Sequence, residues 1–100
     1  LMRNFIACFT LIFSINAFAQ DSQGCVAGQA AVFAGNYSKA VEIFTPLAQA
    51  GDACAQNRLG DIYKLGLGVK ADKAKALALY EASAAQGNRE AALQVALLKK

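Results

Sequence analysis

The chain has no histidine and no tryptophan, and only one proline and one methionine in 100 residues. Without histidine the commonest general base is missing, and with it the serine triad. A nitrogen ligand for zinc is missing too, so three cysteines and a few acids are all that metal binding could draw on. No Ser-x-x-Lys pair occurs. Gly66 and Gly68 follow no strand, so they do not read as a phosphate cradle. The acids Glu42, Asp52, Asp61, Asp72, Glu81 and Glu90 are spread singly and suit helix starts and exposed faces better than a carboxylate pair. Neither catalysis nor a cofactor is expected. Like charges are also sparse: the net charge is +3, and the one basic cluster, Lys70, Lys73 and Lys75, surrounds a loop. Nucleic acid is not an expected partner.

The N-terminal segment is of a different kind. Arg3 precedes an apolar stretch from Phe5 to Ile15, and Ala17-Phe18-Ala19 supplies the small-x-small pattern of a secretory leader. This predicts a signal peptide over 1–19, a cut before Gln20, and a mature domain over 20–100 placed in the periplasm or secreted. The stretch is shorter than the roughly 20 residues a membrane span needs. No span is expected after cleavage, and retention as an anchor is the competing reading. Export would remove Cys8 and leave Cys25 and Cys54, either joined as a disulfide of about 3 to 4 kcal/mol or held as two small buried thiols.

The remainder repeats itself. Shifting the chain by 36 residues pairs Lys39 with Lys75, Ala40 with Ala76, Phe44 with Tyr80, Ala48 with Ala84, Gly51 with Gly87 and Ala55 with Ala91. Glycine, aromatic and small residues coincide in register, which is the mark of a helical solenoid. Five helices are predicted. The first covers Gly24 to Ala34. The second covers Tyr37 to Ala50 with a bend near Glu42 caused by Pro46. The third runs from Asp52 to Leu65, the fourth is capped by Asp72 and stopped by Gly87, and the fifth is capped by Asn88. Inner stripes are expected at Ala55, Leu59, Ile62 and Tyr63, at Ala76, Leu77, Tyr80 and Ala84, and at Ala91, Ala92, Val95 and Leu98. Gly60 marks a place where another backbone comes close.

Leu59-Gly60, Tyr63, Gly66, Gly68-Val69, Asp72, Lys75-Ala76, Tyr80, Ala84, Gln86-Gly87 and Ala91 together resemble the Sel-one-like repeat family, relatives of tetratricopeptide repeats. The segment Phe44 to Ala53 is similar to the junction of exported bacterial members. Ser83 departs from the usual alanine, with its hydroxyl expected to bond back to the preceding turn, and the first repeat has only the short turn Gly35-Asn36-Tyr37. The resemblance implies an all-α, right-handed superhelix of antiparallel hairpins, about two and a half repeats long. It further implies a non-enzymatic adaptor that binds a protein or peptide, with Asn57, Asp61, Lys64, Leu93 and Leu97 presented along the first helices beside Ala27, Ala31 and Ala34. The alternative it offers is a cysteine-bridged relative binding β-lactam or cell-wall fragments with weak hydrolase activity. Val95, Leu97 and Leu98 are the apolar residues through which self-association by the C-terminal helix is expected.

Overall fold

The computed structural model describes residues 22–100. The expected leader, its cut before Gln20, and Cys8 lie outside that range. Five helices follow one another with no strand among the described residues: α1 Gln23–Phe33, α2 Tyr37–Gln49, α3 Ala53–Leu65, α4 Lys73–Ala85 and α5 Arg89–Leu98. Each packs on its sequence neighbour, giving the hairpins α1–α2 and α3–α4 with α5 opening a third. This is an all-α solenoid. None of these helices is long and apolar enough to cross a membrane.

Every helix starts on a capping side chain. Ser22, Asn36, Asp52, Asp72 and Asn88 each accept the backbone N–H three residues on, satisfying a donor that has no partner inside the helix. Pro46 lies within α2, which continues to Gln49. The longer α3–α4 turn passes close over the start of α2. Gly68 has φ 70°, and a Cβ there would meet the Tyr37 Cβ at 2.8 Å, so both backbone conformation and space exclude a side chain.

Two aromatic rings dominate the interior. Phe44 is fully buried in a cluster with Cys25, Ala40, Ala48, Ala55, Leu59 and Ile62, and Tyr80 in a second with Ala76 and Ala91. Phe44 lies over Gly28, and Tyr80 lies over Gly60. The close approach expected at Gly60 is therefore made by a ring and not by a backbone. The two pairs are the same contact in successive hairpins, yet Gly28 and Gly60 are 32 residues apart where Phe44 and Tyr80 are 36 apart. The turns account for the difference of four, since α1 and α2 are joined by Ala34 to Asn36 and α3 and α4 by Gly66 to Asp72.

Two expected stripe members sit elsewhere: Leu77 is half-buried outside both clusters and Ala92 is exposed, whereas Tyr63 is half-buried and packs on both clusters from their rim. Ser83 is buried, but its hydroxyl donates to the Ala53 carbonyl of α3 at 2.7 Å and not to its own preceding turn. A second cross-link runs beside it: Gln86 donates to the Gln56 side chain at 2.9 Å, and Gln56 donates to the Ala48 carbonyl at 3.1 Å. These bonds tie the ends of α2 and α4 to the start of α3.

The glycine contacts give opposite signs for alanine substitution. A Cβ at Gly28 would stand 2.3 Å from the rigid Phe44 ring, whereas at Gly24 it would meet only the tip of Leu47. Overpacking costs about 1 to 3 kcal/mol, against about 1 kcal/mol gained in helix propensity. Gly28→Ala is expected to lower unfolding free energy by about 1 to 2 kcal/mol, with Gly24→Ala neutral or stabilising, as read by urea denaturation.

Candidate functional site

The large apolar side chains left exposed among the described residues are Val26, Phe33, Leu65, Leu93 and Leu97, and all five belong to α1, α3 and α5. None belongs to α2 or α4, the second helices of their hairpins. Phe33 and Leu65 are 86% and 62% exposed and are related by the same shift of 32 that relates Gly28 to Gly60. They are equivalent residues at the C-terminal ends of consecutive first helices, and so form the start of an apolar ledge. The shift of 36 that aligns the later helices misaligns α1 and hides this pairing.

A polar network runs next to the ledge. Arg58 donates to Asp61 at 3.5 Å and to Glu90 at 2.8 Å, the Tyr80 hydroxyl donates to Asp61 at 2.5 Å, and Lys64 donates to Gln94 at 2.8 Å. Asp61 and Lys64 were expected to be free for a partner. Both are half-buried and engaged in holding α4 and α5 to α3. Asn57 departs furthest from expectation: it is 2% exposed, and its Oδ1 has no hydrogen-bond partner among the described residues. The physical reason is crowding. With α2, α4 and α5 all disposed around α3, only a narrow arc near Arg58 and Leu65 remains open. Leu93 and Leu97 are exposed, at 59% and 52%. On α1, Ala27 and Ala34 are exposed and Ala31 is half-buried.

The network changes the chemistry of one member. Burial, then the hydrogen bond to the Asp61 carboxylate, then the negative charges of Asp61 and Glu90 push the Tyr80 hydroxyl well above its ordinary value of 10.0, with Arg58 opposing. The phenol is thus a fixed donor over the physiological range and not an acid–base group.

Cys25 and Cys54 are bonded, with Cα atoms 6.2 Å apart, so α1 and α3 are covalently joined. Side-chain donors of Cys25, Asp52 and Cys54 lie within 4.8 Å of one another, the only such set among the described residues. The disulfide leaves no thiolate to offer a metal, and Asp52 is occupied as the cap of α3. The other described acids are also in use. Asp72 caps α4, Glu42 pairs with Lys39, Glu81 with Lys99, and Glu90 with Arg58.

On the opposite side, a trough of about 400 Å³ lies between α2 and α4. Its floor is Gln56, Leu59 and Tyr63 of α3, and Ala48, Ala78 and Ala82 keep it open. The Lys75 ammonium stands 4.4 Å from the centre of the Tyr63 ring at its rim.

The family model of the Sel1 repeat matches residues 26–52 and 55–88, which together make up more than half of the chain. The chain belongs to the Sel1 repeat family. The two matches correspond to the hairpins α1–α2 and α3–α4. Human (Homo sapiens) "Protein sel-1 homolog 2" is 40% identical over 53 residues, a match covering 53% of this chain and 8% of that protein. No solved structure matches. Sel1 repeats generally serve as scaffolds for protein–protein interaction.

Two measurements check the site's chemistry. Below pH 10 the raised Tyr80 value contributes its full stability. Above pH 10 the unfolded phenol ionises while the folded one stays protonated, so stability should fall with pH by up to about 1.4 kcal/mol per unit. Tyr80→Phe should flatten that slope and cost about 1 to 2 kcal/mol at neutral pH, as read by denaturation across pH 8 to 11. Reducing the disulfide, or Cys54→Ser, should lower stability by about 3 to 4 kcal/mol, as read by the shift in denaturant midpoint with and without reductant.

Proposed function

We propose that this Sel1 repeat protein is a non-enzymatic adaptor of the bacterial envelope, exported and trimmed near Ala19, that captures an apolar segment of another protein along the first-helix face. The observation that carries the reading is the confinement of the exposed large apolar side chains to α1, α3 and α5. Phe33 and Leu65 are the anchors. Both stand clear of the interior, at equivalent places one hairpin apart, and the Arg58–Asp61–Glu90 row of α3 and α5 adds polar groups held in place. An extended or helical segment with apolar residues on one side and polar groups on the other fits such a ledge. The export context suits the Cys25–Cys54 bond, since disulfides persist in oxidising compartments.

The competing reading is a cysteine-bridged binder of β-lactam or cell-wall fragments, favoured by that bond and by the α2–α4 trough. Hydrolysis there would need a nucleophile and a base. The trough supplies a threonine, three alanines, two glutamines and a lysine stacked on tyrosine, with no carboxylate.

Affinity capture from the native envelope tests the adaptor. Phe33→Asp with Leu65→Asp should reduce retained partner about tenfold or more while leaving the helical signal intact, since both side chains are exposed. Identical capture by the wild type and this variant, or covalent labelling by a fluorescent penicillin, would remove the proposal.

A further inference from the structure

The bond between α1 and α3 has a carboxylate beside it that the bond does not need. The sulfurs of Cys25 and Cys54 and a carboxylate oxygen of Asp52 lie within 4.8 Å of one another. Asp52 caps α3 through Oδ1, which leaves a second oxygen to offer. Capping does not call for a charge, since Ser22 and Asn88 do the same for α1 and α5. The Gln29 amide nitrogen stands 4.0 Å from the Cys25 sulfur and 3.8 Å from that of Cys54, so one donor faces both. Each cysteine also belongs to the first turn of a helix, Cys25 of α1 and Cys54 of α3, where negative charge is favoured. Cys25 is fully buried while Cys54 and Asp52 are half-buried, so entry is from the α3 side.

Reduction turns this arrangement into a ligand set. A dithiol supplies two electrons and two protons, closes to its own disulfide, and leaves Cys25 and Cys54 as thiols. A divalent ion that takes both sulfurs releases those two protons. Thiolates at roughly 2.3 Å from zinc in tetrahedral geometry stand about 3.8 Å apart. With the Cα atoms 6.2 Å apart, rotation about the two Cα–Cβ bonds supplies that spacing. Two soft sulfurs with one hard oxygen suit zinc better than copper(I), which favours sulfur, or magnesium, which favours oxygen. Three protein ligands leave the fourth position to water.

We propose that the reduced chain binds one zinc ion through Cys25, Cys54 and Asp52, with Gln29 donating to the bound sulfurs. The helices α1 and α3 are then joined by a covalent bond in one redox state and by a metal in the other. The site belongs to the reduced chain wherever that occurs, and it rests neither on export nor on the ledge at Phe33 and Leu65.

Titration calorimetry of the full chain with zinc chloride tests it, after reduction by a dithiol and removal of the dithiol under argon. One zinc per chain should bind with a dissociation constant on the order of 1 μM or tighter. Cobalt(II) in its place should show thiolate-to-metal charge transfer. Zinc should raise the denaturant midpoint of the reduced chain, or restore its helical signal where reduction alone unfolds it. The oxidised chain should take up none at that affinity. Asp52→Asn keeps a capping side chain and should weaken binding tenfold or more, and Cys54→Ser should abolish it. Three results would overturn the proposal: no zinc uptake by the reduced chain, equal affinity in Asp52→Asn, or zinc that binds and neither raises the midpoint nor restores helicity, which would place it on the unfolded chain.

Discussion

A ring seated where a side chain is missing closes each hairpin. Phe44 over Gly28 and Tyr80 over Gly60 occupy the space that a Cβ would take, and each ring is fully buried by doing so. A glycine inside a helix costs about 1 kcal/mol against alanine. A buried aromatic is worth several times that, which decides the balance for the glycine. The remaining interior follows from this choice. Once the rings supply bulk, the other positions must be small, and Ala40, Ala48, Ala55, Ala76 and Ala91 fill them. The alanine-rich composition is thus a consequence of helices held near each other by two aromatic pivots.

The same constraint explains why the charged residues of the first-helix face are structural. Burying the Tyr80 ring also buries its hydroxyl, and an unmatched buried hydroxyl costs about 1 to 3 kcal/mol. Asp61 meets that need from α3, and Arg58 then offsets the carboxylate's charge while reaching Glu90 on α5. Phe44 has no hydroxyl, and its hairpin has no such network: the position matching Asp61 in α1 is Gln29, whose amide lies near the two bonded sulfurs at 4.0 and 3.8 Å. The difference between phenylalanine and tyrosine at one site therefore propagates to what surrounds it. Residues that look like recognition groups are committed to packing, and the large side chains that packing leaves out are apolar.

Much of the architecture was legible in the sequence because it rests on local signals. Asp52, Asp72 and Asn88 announce helix starts, and the periodic alanines and aromatics announce which sides turn inward. What was not legible depended on three-dimensional crowding. Asn57 reads as a surface amide on a helical wheel and is buried because α3, alone among the first helices α1, α3 and α5, has another of them on either side. Ser83 could bond locally or across to Ala53, and only the separation of α3 and α4 selects the second. Phe33 and Leu65 were within reach of sequence reasoning, but only after allowing the shorter turn of the first hairpin to change the shift from 36 to 32.

That corrected register also exposes a progression along the solenoid. Cys25, Asn57 and Leu93 occupy the same place in α1, α3 and α5 by shifts of 32 and 36. In the first case the contact is a covalent bond to Cys54, in the second a buried amide with an unmatched oxygen, in the third an exposed leucine. A covalent link constrains the unfolded chain and resists opening, whereas a buried polar atom without a partner weakens its interface by its desolvation cost. The α1–α3 junction should therefore be the rigid end. The α3–α5 junction depends on the Tyr80–Asp61–Arg58–Glu90 chain and on Lys64–Gln94 to offset that weakness. Two of them, Arg58–Glu90 and Lys64–Gln94, end on α5, so anything that orders α5 from outside also strengthens the junction beneath it.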